Sequence, residues 1–547
     1  MNPEKFYIPR ASHVGAFHGT PTFSNFDSSF SGISGSEDHS RKRIRRGRIL
    51  SILTGLLLAA VPLHVHSQPT VTDPKLAVRT VVSGLTQPIN MGFLKANDFF
   101  VTEKSTGQVK RVVNGVVVAT VLDLPVNFAS ERGLLGLALH PDFERNKWVY
   151  LYWTESSTGM DSNVLAEVGN PNSPYPPGTP QPFGNRVDRF VWDRRAQKLR
   201  FDRNIIMLHA YQADPGQPLR GNHNGGLIRF ETTDDHSRSW WWRKDRREKL
   251  FVIIGDNGRR GMLQNLLQGA NGPGVPDDQF GGPEPDNAHL TGVVLRLNDD
   301  GSTPRDNPFF EYGATVGGEE GANFQRIFAY GVRNSFGLAV DPKTGELWES
   351  ENGDDSFDEI NRIEPGHNGG WIQAMGPLMR VTDFKAIETT FPTPPGALQQ
   401  LRWPPANIAD SPIVARSRMV DIPGSHYGDP QFSWKYATAP AAIGFMTDRS
   451  LGSAYEGDLF VGASTPVLAA GYLFRFKLTE NRQRLAWTDP RLADLVADNT
   501  AKFNATESES LMFGSGFGVG TDIQTGPNGN LFVVSSSAGA VYEIYRP

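Results

Sequence analysis

Ala329–Trp371 reads AYGVRNSFGLAVDPKTGELWESENGDDSFDEINRIEPGHNGGW. Within it, Gly337–Val340 and Glu346–Glu349 flank a Pro/Gly turn signal at Asp341–Gly345, so the segment is predicted to be an antiparallel hairpin. Around the hairpin stand polar groups that a solvated hairpin does not need. Arg333 and Asn334 precede it, and Glu351, Asn352, Asp354, Asp355, Asp358 and Glu359 follow it. Like charges this close together are unfavourable unless a cation or solvent screens them. The hairpin recurs along the chain and the charged flank does not, which separates scaffold from site.

Working outward, the same two-part pattern is found six times. The first part, strand–turn–strand, occurs at Met91–Val101, Leu137–Leu151, Leu227–Ile253 (with a long insertion), Leu338–Trp348, Ile443–Val461 and Ile523–Val533. Each copy is followed by a short strand with a charged residue among apolar ones: Val109–Val112, Val187–Phe190, Val294–Leu297, Ile360–Ile363, Leu473–Phe476 and Val541–Ile544. A small sheet with two apolar faces must bury both against neighbours, so an array of them is stable when it closes. The expectation is an all-β chain folded as a six-bladed β-propeller over residues 75–547, with Lys75–Val82 supplying a strand near the closure. The insertions, including Gly169–Gly184 and Gly269–Pro285, read as loops of that scaffold, where sites are usually built.

Composition narrows the function. The 547-residue chain has no cysteine, which excludes disulfides, thiolate metal sites and covalent haem. Its formal charge of −5 argues against nucleic acid as the main partner. Residues 1–67 read as a polar leader plus signal peptide: basic residues from Arg41 to Arg48, an apolar run Ile49–Val61 too short to span a bilayer comfortably, and small residues before Gln68. Export to the periplasm or beyond is therefore expected, with no stable membrane span after processing. A membrane anchor, or an upstream start outside the working protein, are the other readings of that segment. Ser237–Lys249 places Trp240, Trp241 and Trp242 among basic residues. Rings packed on a blade edge are favoured there over a partner surface.

Candidate chemistry gathers at one end of the ring. His223 lies in GNHNGG before the third copy, and Asp256 lies in IIGDNGRRG just past a strand end of the same blade. The start of one hairpin strand and the end of the next are adjacent, so the carboxylate can fix the imidazole tautomer as a proton-abstracting base requires. A loop-capping His and a turn Asp remain the plain alternative. Arg333, Asn334 and Glu131 precede their own blades at the same end, which makes them candidates for one pocket. Asn352, just past the hairpin, joins that candidate pocket. In the bend ENGDDSFDEI, carbonyls at Gly353 and Asp354 and carboxylates at Asp358 and Glu359 form a candidate Ca²⁺ site, and a solvated acidic loop is the equal alternative.

From about Ala77 onward, these segments resemble the glucose/sorbosone dehydrogenase family of soluble quinoproteins. The resemblance rests on SERGLLGLALHPDF, the His223 segment, IIGDNGRR, YGVRNSFGLAVDP and ENGDDSFDEINRIEPG. It implies a six-bladed propeller that uses pyrroloquinoline quinone (PQQ) and Ca²⁺ to oxidise a sugar, passing electrons to a separate acceptor. It further implies His223 as base, Asp256 as its orienting partner, Arg333 and Asn334 at the quinone oxygens, and Gly353 and Asp354 carbonyls on Ca²⁺. The chain departs from the family where a fifth-blade Lys and two sixth-blade Arg would neutralise the cofactor's carboxylates. Here those places are held by Ala469 or Ala470 and roughly by Val519 and Thr521, with Arg132, Arg259 and Arg260 as candidate replacements. A Ca²⁺-dependent propeller hydrolase of lactonase type, and a non-catalytic propeller binding glycan or protein, are the competing readings.

Overall fold

The computed structural model describes residues 68–211, 219, 221–231, 247–258, 290–371, 373–390, 409–468 and 470–547. The leader, Trp240–Trp242, Arg259, Arg260, Ala469 and Gly269–Pro285 lie outside the described residues.

Six sheets form, and each is built around one repeat of the sequence pattern. Blade 1 runs from hub to rim as Pro88–Lys95, Asp98–Glu103, Gln108–Val113 and Val116–Asp123. Blade 2 is Leu134–Leu139, Trp148–Thr154, Phe183–Asp193 and Lys198–His209. Blade 3 begins with Ile228–Phe230, Lys249–Ile254, Val293–Asn298 and Ile327–Tyr330. Blade 4 is Ser335–Val340, Leu347–Glu351, Ser356–Ile363, Phe432–Tyr436 and a short outer strand, Val496–Ala497. Blade 5 has Pro440–Phe445, Leu459–Ala463, Tyr472–Leu478 and Met512–Ser515, and blade 6 has Gly520–Thr525, Leu531–Ser535 and Ala540–Tyr545.

The six hairpins and third strands fall where the sequence pattern puts them. The outer strands carry weaker alternation and were not predicted, except one. Ala77–Val82 pairs antiparallel with Ala540–Tyr545 and completes blade 6 from the other end of the chain. Thr70–Val71 likewise joins blade 5 beside Met512–Ser515. The first strand of every blade lies against the first strands of the blades on either side, so the ring is closed.

Each blade buries both faces, which closure requires. One apolar cluster fills each junction: Phe100, Leu137 and Trp153 between blades 1 and 2, and Tyr152, Ile228 and Leu295 between blades 2 and 3. Ile253, Leu338 and Leu347 fill the third junction, and Trp348, Trp434 and Phe474 the fourth. Phe460 with Ile523, and Val101 with Phe532 and Val82, finish the circuit. Burying a side chain of this size contributes roughly 1.5–3 kcal/mol, so the junctions dominate stability.

Five of the six inner hairpins slip register near the start of the first strand, as between Ser335 and Gly337 or between Gly520 and Asp522. Such bulges re-aim the residues at a rim. All five lie at the same mouth of the hub.

Candidate functional site at the hub

His223 sits in the irregular turn leading into the third blade, in left-handed backbone at φ 57°, and is 3% exposed. The turn passes so close to the neighbouring strand that a side chain at Gly225 would strike the Ile253 carbonyl at 2.5 Å. His223 Nδ1 and Asp256 Oδ1 are 2.6 Å apart. The Gly258 N–H donates to the same oxygen at 2.8 Å, and the Trp371 indole N–H donates to Asp256 Oδ2 at 2.9 Å. Burial favours the neutral acid, but His223, Arg333 and the indole N–H outweigh it and hold the Asp256 carboxyl at about 2. Asp256 is therefore an anion that favours the ring orientation with an Nδ1–H donor directed at it.

From the second blade, Glu131 Oε2 accepts the His223 backbone N–H at 2.5 Å. The Asn334 side-chain N–H₂ approaches both Glu131 oxygens at 3.4–3.5 Å. Arg333 donates through Nη1 to the carbonyls of Asn352 and Gly353, at 2.7 Å each, and Nη2 lies 3.2 Å from Asp354 Oδ1. Its guanidinium stands 5.5 Å from the Trp371 ring centroid. Burial alone would disfavour the cation, but Asp354, Asp256 and Glu131 surround it and raise its affinity for the proton. The structure thus brings His223, Asp256, Arg333, Asn334, Glu131 and Asn352 to one mouth, from three blades.

A cavity of about 300 Å³ opens there. Its wall includes Lys104, Asn352, Ser464 and Ser536. Each of these is the first residue after the second strand of its blade. Glu131, Phe336, Val519 and Thr521 come from the starts of first strands or the turns before them. Val519 and Thr521, where the resemblance would place arginines, bring no charge to the wall. Arg132 is no substitute: it is turned away and buried, donating to the carbonyls of Leu165 and Ala210.

The acid-rich bend is the candidate Ca²⁺ site of the sequence, and each of its polar groups has protein partners in the structure. Gly353 and Asp354 do meet, but they answer Arg333. Asp358 faces inward and accepts backbone N–H groups of Gly353, Thr438 and Ala439. Glu359 accepts the Gly376 N–H and the Asn361 amide at 2.9 Å through separate oxygens. Asp355 pairs with Lys502 at 2.5 Å. Among the described residues no three acidic or histidine side chains are arranged to hold a metal ion. Glu349, Glu351 and Glu359 lie around Asn361, and burial first, then mutual repulsion, pushes all three carboxyls upward.

Sequence reading missed Lys104, Trp371 and Lys502. Lys104 was discoverable, since it holds the same place in its blade as Asn352 does in blade 4. Lys502 lies 147 residues from Asp355, and no local pattern announces it.

A closed six-blade ring with an acid–base pair and a guanidinium at one mouth of its hub is the class of protein that the fold and site define. The chain belongs to the glucose/sorbosone dehydrogenase family, whose sequence profile matches residues 85–377. It is 28% identical over 331 residues to quinoprotein glucose dehydrogenase B of Acinetobacter calcoaceticus, covering 60% of this chain and 59% of that protein. It is 26% identical over 417 residues to aldose sugar dehydrogenase YliI of Escherichia coli, covering 76% of this chain and 77% of that one. The fold is shared with the apo crystal structure of the soluble aldose sugar dehydrogenase of Escherichia coli, at a TM-score of 0.54 and 20% identity over 86% of this chain and all of that one.

Proposed function

We propose that this chain oxidises a sugar at a C–OH group, with PQQ as hydride acceptor and His223 as the base. The observation that carries the reading is the 2.6 Å His223–Asp256 contact at the hub mouth. His223 Nε2 takes the hydroxyl proton as the C–H bond loses its hydride. Asp256 stabilises the imidazolium that results, and Trp371 holds Asp256 from its other oxygen. PQQ, when bound, supplies the electrophilic carbonyl for the hydride, which no amino-acid side chain offers.

The residues fit such a cofactor at one corner. Asn352 and Glu131 line the cavity, Arg333 and Asn334 hydrogen-bond to them, and Asn334 Oδ1 is buried with no hydrogen-bond partner among the described residues. Calcium is the finer part of the resemblance. Gly353 and Asp354 are already engaged by Arg333, so no step here is routed through a metal. The reading includes export and a separate electron carrier. Among the described residues no helix is long and apolar enough to cross a membrane.

The test is reconstitution. Purified protein is titrated with PQQ, with and without Ca²⁺, and dye reduction is followed on an aldose panel. Activity that needs PQQ and disappears in His223→Gln supports the reading. Lactone hydrolysis without quinone, or no turnover from protein that binds PQQ, overturns it.

A further inference from the structure

Lys104 follows the second strand of blade 1 and lines the hub cavity beside Glu131, Ser130, Asn352 and Thr521. Its ammonium donates to the Ser130 carbonyl at 2.9 Å and, at longer range, to the Phe128 carbonyl at 3.4 Å. An ammonium carries three donors, so two carbonyls leave one over. No carboxylate lies within 4.0 Å of Nζ among the described residues. The other cations nearby are engaged: Arg132 by carbonyls and Arg333 by Asp354. Lys104 is half-buried, and removing a cation even partly from water with no acidic partner in contact is unfavourable, which pushes its ammonium down to about 8 against the opposing pull of Glu131. A cation placed this way on a cavity wall that lacks charge at Val519 and Thr521 is complementary to an anionic ligand.

We propose that Lys104 binds a carboxylate of the cofactor, supplying from blade 1 the positive charge that blades 5 and 6 do not. This rests on the quinone reading above.

The charged groups facing Lys104 are few. Glu131 approaches from the adjoining blade. Glu103 precedes it on its own strand but is turned toward Thr86, Thr106 and Lys110.

The test is equilibrium binding of PQQ to the apo full-length protein, read by absorbance or tryptophan quenching, for wild type, Lys104→Gln and Lys104→Arg. Loss of one charge-assisted bond to a carboxylate is expected to weaken binding in Lys104→Gln by about 10- to 100-fold. Lys104→Arg should stay within about threefold, since it keeps the charge. Wild-type affinity should fall as pH is raised through about 8, and this fall should be absent in Lys104→Arg. Lys104→Gln that binds as tightly as wild type overturns the assignment while the quinone reading stands. So does an alkaline fall unchanged in Lys104→Arg, which also decides the matter if Lys104→Gln does not fold. A wild-type protein that binds no PQQ overturns both.

Discussion

Replacing Asp256 by Asn probes the centre of the proposed chemistry. Asp256 accepts on both oxygens, from His223 and Gly258 on one and from Trp371 on the other. Asn has one acceptor oxygen and one N–H₂ group, so one of those donors must face another donor. If the amide N–H₂ turns to His223, it selects the tautomer with the proton on Nε2, the atom that has to act as base. If it turns to Trp371, the ring keeps its tautomer but loses the anion that stabilises the imidazolium. The size of that loss can be bounded. His223, Arg333 and the indole N–H hold the carboxyl well below the ordinary 3.8 although burial opposes it, a net preference for the carboxylate on the order of 2 kcal/mol. Loss of a charge of that order slows proton abstraction by roughly 10- to 100-fold, and a wrong tautomer adds to it, so kcat should fall by about 10–10⁴. The assay is dye-coupled steady-state turnover of the PQQ-loaded enzyme, with PQQ affinity and thermal unfolding measured beside it. Asp256→Asn that folds, binds PQQ and keeps kcat within about fivefold of wild type would refute the dyad.

Three further outcomes follow from the geometry. Trp371→Phe keeps the ring beside Arg333 but removes the N–H that holds Asp256, so kcat should drop about three- to tenfold with KM little changed; an unchanged kcat would show that Gly258 and His223 position the carboxylate alone. Glu349, Glu351 and Glu359 have folded-state values raised above the ordinary 4.5, so the folded chain holds protons that the unfolded chain releases. That stabilisation is complete below about 4.5 and is lost as pH rises toward the raised values, so melting temperature should decline from pH 5 to 8, less steeply in Glu349→Gln; a rise over that range would show that a cation or another group governs the cluster. Deleting residues 68–83 strips blade 6 of Ala77–Val82 and exposes the edge of Ala540–Tyr545, which should lower the melting temperature by roughly 10 °C or more or yield insoluble protein; a ring that melts as before would mean that closure does not depend on this strand.

The hairpins and third strands were legible because a strand with two buried faces writes its pattern locally. Leu347 and Trp348 sit side by side in sequence and face opposite junctions, and the same alternation repeats around the ring. His223, Asp256 and Arg333 were legible as a group for a related reason: position within a repeat fixes which end of the blade a residue occupies. Sequence alone therefore determined the closed wheel and the mouth at which polar residues gather. The tertiary structure decided which groups answer one another there. Arg333 and Lys502 are the cations of the acid-rich bend, Trp371 holds Asp256 from 115 residues further along the chain, and Lys104 is left facing the cavity. Charge pairing depends on distances of a few ångströms between residues as far apart in the chain as Lys502 and Asp355, and the periodicity that specifies the blades carries no information about those distances.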